Sequence, residues 1–247
     1  MDKFINHERA SYYKNREKSI LKFWSRFPNK INFQNKYILD FGCGLGNLSF
    51  DIAKKNASLV IGLDIDEDSI IRAKQNLNNY NMQIKNRIKF LCSPISDIKQ
   101  SEFDIVISWA TFEHIMELEE TLDNLIAKVK SGGKLYIGFG PLYYSPFGHH
   151  TGIKSRIPWI HVLFPKYFLK KVNTQNNIAI TNIKELGINM QPFSNYMKCF
   201  NNHKLTVEYL KLNAGNYWLS KLGNLVKKIP YLNNLLIYNC YCILKKN

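Results

Sequence analysis

Residues 38–46 read Ile-Leu-Asp-Phe-Gly-Cys-Gly-Leu-Gly. An apolar run ends at Asp40 and opens into three glycines at alternate positions, Gly42, Gly44 and Gly46. Leu48, Ile52 and Ala53 then recur at helical spacing. A buried strand, a glycine turn and a helix N-terminus in immediate succession make a place where backbone can approach a ligand closely, because no Cβ stands in the way. A dinucleotide-binding fingerprint would put its third glycine one residue later, and that position is Asn47. An ordinary glycine turn is the plain alternative, so the elements that follow have to decide.

Residues 59–63, Leu-Val-Ile-Gly-Leu, predict a second buried strand that ends in Asp64-Ile65-Asp66. A carboxylate at the end of the second strand stands where ribose hydroxyls are gripped in Rossmann-type units. Asp64 is the candidate, since a carboxylate accepts from two adjacent hydroxyls. The same cluster opens a helix with Ile70, Ala73 and Leu77 on its apolar face, so one of these acids is also expected to cap it, with Asp66 or Asp68 available if Asp64 binds. A third strand is predicted at Ile88–Cys92 and a fourth at 103–108, the latter leading into Trp109-Ala110-Thr111-Phe112-Glu113-His114-Ile115. Leu118, Leu122, Leu125, Ile126 and Val129 share one helical face, and Ser131-Gly132-Gly133-Lys134 is expected to turn into a fifth strand, Leu135 to Phe139. Strand and helix alternate throughout, which argues a parallel sheet covered on both faces.

The spacing Asp-x-Gly-x-Gly-x-Gly at 40–46 resembles the first motif of class I S-adenosylmethionine (SAM) dependent methyltransferases. The segment running from Phe103-Asp104 to Glu113-His114 closely resembles another of their motifs. The resemblance covers roughly residues 35–140. It implies an α/β fold with a Rossmann-like, seven-stranded, mostly parallel sheet. It also implies SAM as cofactor, S-adenosyl-L-homocysteine as product, and a glycine loop wrapped around the amino-acid part of the cofactor. The cofactor-binding set it implies is Asp40, Gly42, Cys43, Gly44, Gly46, Asp64, Ile65, Ser93, Pro94, Ile95, Ser108 and Trp109. After the third strand the family often places an acidic residue beside the adenine. Here Pro94 stands there, leaving backbone near Ser93 and Ile95, or Asp97, to hold the base.

Charge is unevenly distributed. Residues 31–140 hold 12 Lys and Arg against 14 Asp and Glu, residues 1–30 hold 8 against 3, and residues 141–247 hold 14 against 2. The core is near neutral, and the formal net charge of +15 comes from the flanking additions. In this family such additions carry the acceptor site, so the asymmetry points to an anionic acceptor or surface. Solvated surface lysines are the bland reading of most of these residues. Cysteines 43, 92, 199, 240 and 242 form no C-x-x-C pair, and they are expected to be reduced thiols of a cytoplasmic protein with no zinc site. Met1 to Glu8 lacks the apolar core of a signal peptide, and no segment is apolar for the length of a membrane span.

The chain is expected to be one domain. Residues 1–30 form an N-terminal helical cap, 31–140 the SAM-binding core, 141–203 an acceptor-binding insertion, and 204–247 the C-terminal strands and helix. In the cap, Ile20, Phe23, Trp24 and Phe27 make a helical stripe before Pro28. Tyr12 and Tyr13 precede it and are candidates to touch cofactor or acceptor. The insertion begins Leu142-Tyr143-Tyr144-Ser145-Pro146-Phe147-Gly148-His149-His150 and continues through Arg156 and Pro158-Trp159-Ile160-His161. It leaves the C-terminal edge of the fifth strand, where α/β sheets bind ligands. Its aromatic content argues against disorder. This run resembles, more loosely, methyltransferases of bacterial surface-glycan and small-metabolite pathways. Strands are predicted at Lys204 to Leu212 and Tyr238 to Leu244. Between them lies a basic amphipathic helix around Trp218 to Val226, which is read as packing and, secondarily, as a contact for anionic lipid.

The sulfonium methyl is already activated, and positioning supplies most of what an enzyme can add. A hydroxyl acceptor still has to lose a proton, a task suited to histidine. His149 and His150 are the candidate bases. Tyr12, Tyr13, His114, Tyr143, Tyr144, Arg156, Trp159 and His161 are candidate acceptor contacts. His161 reads equally well as a core residue. No metal is expected, because Trp109-Ala110-Thr111 stands where divalent-ion methyltransferases carry acids. DNA is not expected as a substrate, because an Asp/Asn-Pro-Pro-aromatic run and a Pro-Cys nucleophile are both absent. The expected function is methyl transfer from SAM to a hydroxyl of a small anionic acceptor, phosphorylated, nucleotide-linked or carboxylated. An N-methyltransferase acting on a small amine or amide, an RNA methyltransferase and a non-enzymatic SAM-binding or nucleotide-binding protein are the alternatives. The sequence is silent on oligomeric state.

Overall fold

The structure, a computed structural model, describes residues 17–99, 102–149, 157–203, 205–213 and 232–247. Seven strands form one sheet in the order β3-β2-β1-β4-β5-β7-β6. They are β1 (Tyr37–Phe41), β2 (Leu59–Asp64), β3 (Ile88–Cys92), β4 (Phe103–Trp109), β5 (Val129–Phe139), β6 (Leu205–Leu212) and β7 (Cys240–Lys246). The chain divides into two compact units, residues 1–107 and 108–247.

In the first unit, α1 spans residues 17–24, α2 spans Asn47–Ala53, α3 spans Glu67–Leu77, and α4 is a single turn, Met82–Lys85. β1 pairs parallel with β2, and β2 with β3, so that Asp40 lies beside Gly62 and Asp64 beside Cys92. Strands covered on both faces read as continuous apolar runs, and Ile38, Leu39, Val60, Ile61 and Leu63 are buried accordingly. The glycines here serve packing as well as turning. A Cβ at Gly62 would lie 2.5 Å from the Phe90 ring, and one at Gly46 would also lie 2.5 Å from it. Phe90 therefore fills the space that these two glycines leave. Its ring meets Phe50 edge-on at 5.5 Å, and Phe50 stacks on Tyr80 at 4.5 Å. The predicted stripe of α1 is buried at Ile20, Phe23 and Phe27. The helix itself stops at residue 24 rather than running to Phe27, and the Trp24 indole N–H donates to Asp51 at 2.7 Å.

In the second unit, α5 (Leu118–Lys128) buries Leu118, Leu122 and Leu125. Val129, expected on this helical face, instead begins β5, which runs straight through the predicted Ser131–Lys134 turn. The reason is long-range. The Lys246 ammonium on β7 donates to the carbonyls of Ile126 and Val129 at 2.8 and 2.7 Å, adding to the bond that Val129 N–H makes to the Ile126 carbonyl at the end of α5. β7 pairs antiparallel with both β5 and β6. It begins at Cys240, two residues later than predicted, because Tyr238 N–H donates to Asn213 Oδ1 at 2.7 Å and Tyr238 C=O accepts from Leu142 N–H at 2.9 Å.

The described residues of the insertion are folded. The insertion holds α6 (Ile160–Leu163), α7 (Pro165–Asn176) and α8 (Phe193–Asn202). Its own small core is formed by Tyr143, Ile160, Phe168, Val172, Ile183 and Ile188. His203 ends α8 with Nδ1 donating to the Cys199 carbonyl at 2.6 Å, and its Nε2 lies 3.0 Å from Asp123 of α5. Glu119, Cys199 and His203 thereby come within 4.8 Å of one another. The helix predicted around Trp218 to Val226 lies outside the described residues.

The Phe90 arrangement is testable. Gly62→Ala should cost about 1–3 kcal/mol, the usual price of overpacking. Phe90→Leu, which shortens the side chain, should recover part of that loss when added to Gly62→Ala. Urea unfolding of the two single variants and the double variant measures the coupling. Strict additivity would show that the clash is not with Phe90.

Candidate active site

The glycine loop of the first unit is built by left-handed backbone. Gly42, Gly44 and Gly46 have φ values of 71°, 49° and 79°, a region that other residues enter only at a steric cost. Gly42 N–H and Cys43 N–H both donate to the Leu63 carbonyl at the end of β2, at 2.8 and 3.0 Å. Gly44 differs from Gly46. A Cβ built on Gly44 would meet nothing within 4 Å among the described residues, so a ligand could approach this face closely.

Asp64 holds the loop from the neighbouring strand. Its Oδ2 accepts from Gly44 N–H at 2.8 Å and its Oδ1 from Asp66 N–H at 3.0 Å. A carboxylate has about four lone-pair positions. Two are occupied by these amides, leaving two to accept from hydroxyls. The helix cap is Asp66, whose Oδ2 accepts from Ser69 N–H at 3.1 Å, so Asp64 is not needed as the cap. Ile65, between them, is 78% exposed, an apolar side chain standing free at the edge of this loop.

Asp40 is buried and accepts from Ser49 Oγ at 2.6 Å. Burial pushes its carboxyl up to about 7, with the Ser49 hydrogen bonds opposing and the Asp64 charge adding to the rise. Burial likewise pushes the Cys43 thiol up, with Asp40 and Asp64 adding to it. Beyond β3, Ser93 N–H donates to the Asp64 carbonyl at 3.0 Å. Pro94 is exposed in extended backbone, and Ile95 is buried at the head of a short 3-10 turn, Ile95–Asp97. The implied cofactor set from Asp40 to Ile95 is thus gathered at the ends of three adjacent strands.

Ser108 and Trp109, at the end of β4, belong to the second unit, Ser108 buried and Trp109 half-buried. Beyond them lies Glu113. Its Oε1 accepts from Gly140 N–H at 3.1 Å, while its Oε2 is buried with no hydrogen-bond partner among the described residues. Burial pushes this carboxyl up to about 8, with the backbone N–H groups of Glu113 and Gly140 opposing. Asn189 completes the support. Its amide donates to the carbonyls of Phe112 and Ile115 at 2.8 and 2.9 Å and pairs with Tyr196, and its own N–H donates to the Glu113 carbonyl. Glu113 was legible only as half of an acid–histidine pair. Asn189 carried no local signal.

The candidate acceptor residues separate. His114 Nδ1 pairs with the Gly187 carbonyl at 2.8 Å on an exposed turn. Tyr143, Tyr144, His149, Trp159 and His161 come together in the insertion. Tyr143 lies 5.2 Å from Tyr144 and 5.0 Å from His161 between ring centres, and His149 lies 5.4 Å from His161. Trp159 Nε1–H reaches the Tyr144 carbonyl at 3.1 Å. His161 is fully buried. Its Nε2–H donates to the Tyr143 carbonyl, its Nδ1 is buried without a partner among the described residues, and burial lowers its pKa. His149 is also buried, its ring 5.0 Å from Phe168. Tyr12, Tyr13, His150 and Arg156 lie outside the described residues.

Residues 32–140 match the family described as "Methyltransferase domain". Over this segment the chain is similar to methyltransferase domains. A mitochondrial ubiquinone biosynthesis O-methyltransferase of Dictyostelium discoideum is 28% identical to it over 203 residues, covering 75% of this chain and 63% of that protein. A ubiquinone biosynthesis O-methyltransferase of Coxiella burnetii (strain RSA 493 / Nine Mile phase I) is 34% identical over 109 residues, covering 43% of this chain and 44% of that one. The chain therefore spans less than two thirds of either relative. Among solved structures, an S-adenosylmethionine-dependent methyltransferase from Mesorhizobium loti aligns with TM-score 0.59 at 14% identity, over 91% of this chain and 95% of its own. Magnesium protoporphyrin IX methyltransferase from Synechocystis PCC 6803, solved with bound SAM, aligns with TM-score 0.55 at 13% identity, over 97% and 81%. At these identities the structural likeness speaks for the fold.

The titration of Glu113 sets a pH dependence of stability. The folded chain keeps the Glu113 proton up to about pH 8, whereas an unfolded glutamate releases it near 4.5. The stability from this group is therefore fully present below about pH 4.5 and is lost as pH rises towards about 8. Glu113→Gln keeps the acceptor for Gly140 N–H and removes the titration. Urea unfolding should show the variant gaining on the parent between pH 5 and pH 8 by about 3–4 kcal/mol. Parallel pH profiles would show that Glu113 ionises as readily in the folded state as in the unfolded chain.

Proposed function

We propose that this chain transfers a methyl group from SAM to a hydroxyl oxygen of a small anionic acceptor. The observation that carries the reading is Gly44, whose open face lies beside a carboxylate with acceptor capacity to spare. That arrangement fits an amino-acid-bearing nucleoside, with the Gly42–Gly46 backbone against the amino-acid portion and Asp64 accepting from the ribose hydroxyls. Ile65, Ser93, Pro94 and Ile95 would line the base, Ile65 offering an apolar face. When bound, SAM supplies a methyl group already activated by its sulfonium.

The remaining work falls to the chain's own residues. They hold the acceptor oxygen in line and receive its proton. We assign the proton to His149 or His150. Beside His149, burial lowers the pKa of His161, opposed by its hydrogen bond to the Tyr143 carbonyl. Oxygen as the methylated atom is supported by the names of the relatives, which are O-methyltransferases of ubiquinone biosynthesis. The anionic character of the acceptor is supported by the 14 basic residues against 2 acidic after residue 140. Arg156 is proposed to bind the anionic group through two parallel hydrogen bonds. We also read the protein as cytoplasmic, in keeping with the free thiols of its five cysteines.

Methyl release measured over a panel of phosphorylated and carboxylated alcohols, each beside its neutral analogue, tests the proposal. His149→Ala or His150→Ala should lower kcat by about 10²–10⁴-fold with SAM affinity nearly unchanged. Arg156→Ala should raise the acceptor KM. Full turnover in the double histidine variant would remove both histidines from the mechanism, and equal kcat/KM for charged and neutral acceptors would remove the anion.

A further inference from the structure

The insertion presents large apolar side chains to solvent. Ile157 is 55% exposed, Leu163 63%, Phe164 59% and Tyr167 60%. One exposed leucine is ordinary on any protein surface. Three such residues within five positions, across the junction of α6 and α7, form a contiguous patch. The junction is held in shape. Leu163 N–H donates to the Trp159 carbonyl at 2.8 Å, Phe164 N–H to Ile160 at 2.9 Å, and Phe168 N–H to Phe164 at 2.9 Å. Pro165 opens α7 with its φ preset. Ile160, Phe168 and Val172 supply the inward side of the same helices, so the outward side chains are not required by that core.

Charge decides what this patch fits. Lys166 and Lys170 are exposed and Lys171 is half-buried along α7. No Asp or Glu occurs between residues 141 and 184. The apolar cores of protein–protein interfaces are depleted in lysine. An aromatic and aliphatic tip bordered by lysines matches the chemistry of an anionic lipid surface, where rings settle among the headgroups and ammonium groups reach the phosphates. We propose that the α6–α7 junction docks this protein on the surface of an anionic phospholipid bilayer. Leu163, Phe164 and Tyr167 enter the interface, and Lys166, Lys170 and Lys171 engage lipid phosphates. The contact is peripheral. Among the described residues no helix is long and apolar enough to cross a membrane. Docking stands on the surface of the insertion and does not depend on the identity of the acceptor.

The test is co-sedimentation of the full chain with vesicles of phosphatidylcholine alone and of phosphatidylcholine mixed with phosphatidylglycerol. The chain should pellet with the mixed vesicles, weakly with the neutral ones, and less as salt is raised. The double variant Phe164→Ser/Tyr167→Ser should lose most of the binding while keeping its thermal transition, because both side chains are exposed. Each lysine changed to glutamine should weaken binding about fivefold at low salt. Met82→Ser, at a position 65% exposed in the other unit, should leave it unchanged. Three results would overturn the proposal: no pelleting with the mixed vesicles, pelleting that survives both sets of changes, or a dimer in light scattering that Phe164→Ser dissociates.

Discussion

The carboxylate of Asp64 ties together the parts of the first unit that matter for chemistry. It ends β2, takes the N–H of Gly44 from the loop after β1, and takes the N–H of Asp66 at the start of α3. One side chain thus fixes the glycine loop against the neighbouring strand and sets the entry of the following helix. The left-handed conformations of Gly42, Gly44 and Gly46 permit the loop, and the carboxylate selects its position. Around it the packing is conservative. Gly46 and Gly62 make room for Phe90, and Phe90 seats α2 through Phe50. The loop is therefore shaped by contacts within the chain itself.

The second unit solves a comparable problem with buried polar groups. The turn that follows β4 carries Glu113, and it is held from two distant places in the chain. Gly140 donates its N–H to the Glu113 carboxyl, and Asn189 gathers the carbonyls of Phe112 and Ile115 with one amide. Buried polar networks of this kind specify a single arrangement when satisfied and are costly when broken. The insertion adds a small core of its own, so the aromatic and histidine residues it contributes sit on folded structure.

What could be read in the sequence followed the range of the interactions concerned. The first three strands, the glycine turn and α2 are written in contiguous residues, where apolar runs and glycine spacing suffice. The pair of roles at Asp64 and Asp66 was also local, and the spacing to Ser69 resolves which acid caps the helix. The end of α5 was misread because Lys246, more than a hundred residues later, takes the carbonyls that end the helix. β7 was displaced by two residues because Asn213 and Leu142 claim the polar groups of Tyr238. Asn189 and the proximity of Cys199 and His203 to Glu119 arise from tertiary folding, and no spacing in the chain foreshadows them. Likewise, exposure of Leu163, Phe164 and Tyr167 became visible only once the inward side of α6 and α7 was known.

The central claim is that Asp64 organises the loop proposed to receive the cofactor. Calorimetric titration of S-adenosylhomocysteine into the parent and into Asp64→Asn tests it most directly. A carboxamide accepts through one oxygen only, so either Gly44 N–H or Asp66 N–H loses its partner. The account predicts a loss of about 1–3 kcal/mol in binding, the scale of a hydrogen bond to a charged group, with NAD showing no binding to either protein. Equal affinity of the two proteins for S-adenosylhomocysteine would contradict it.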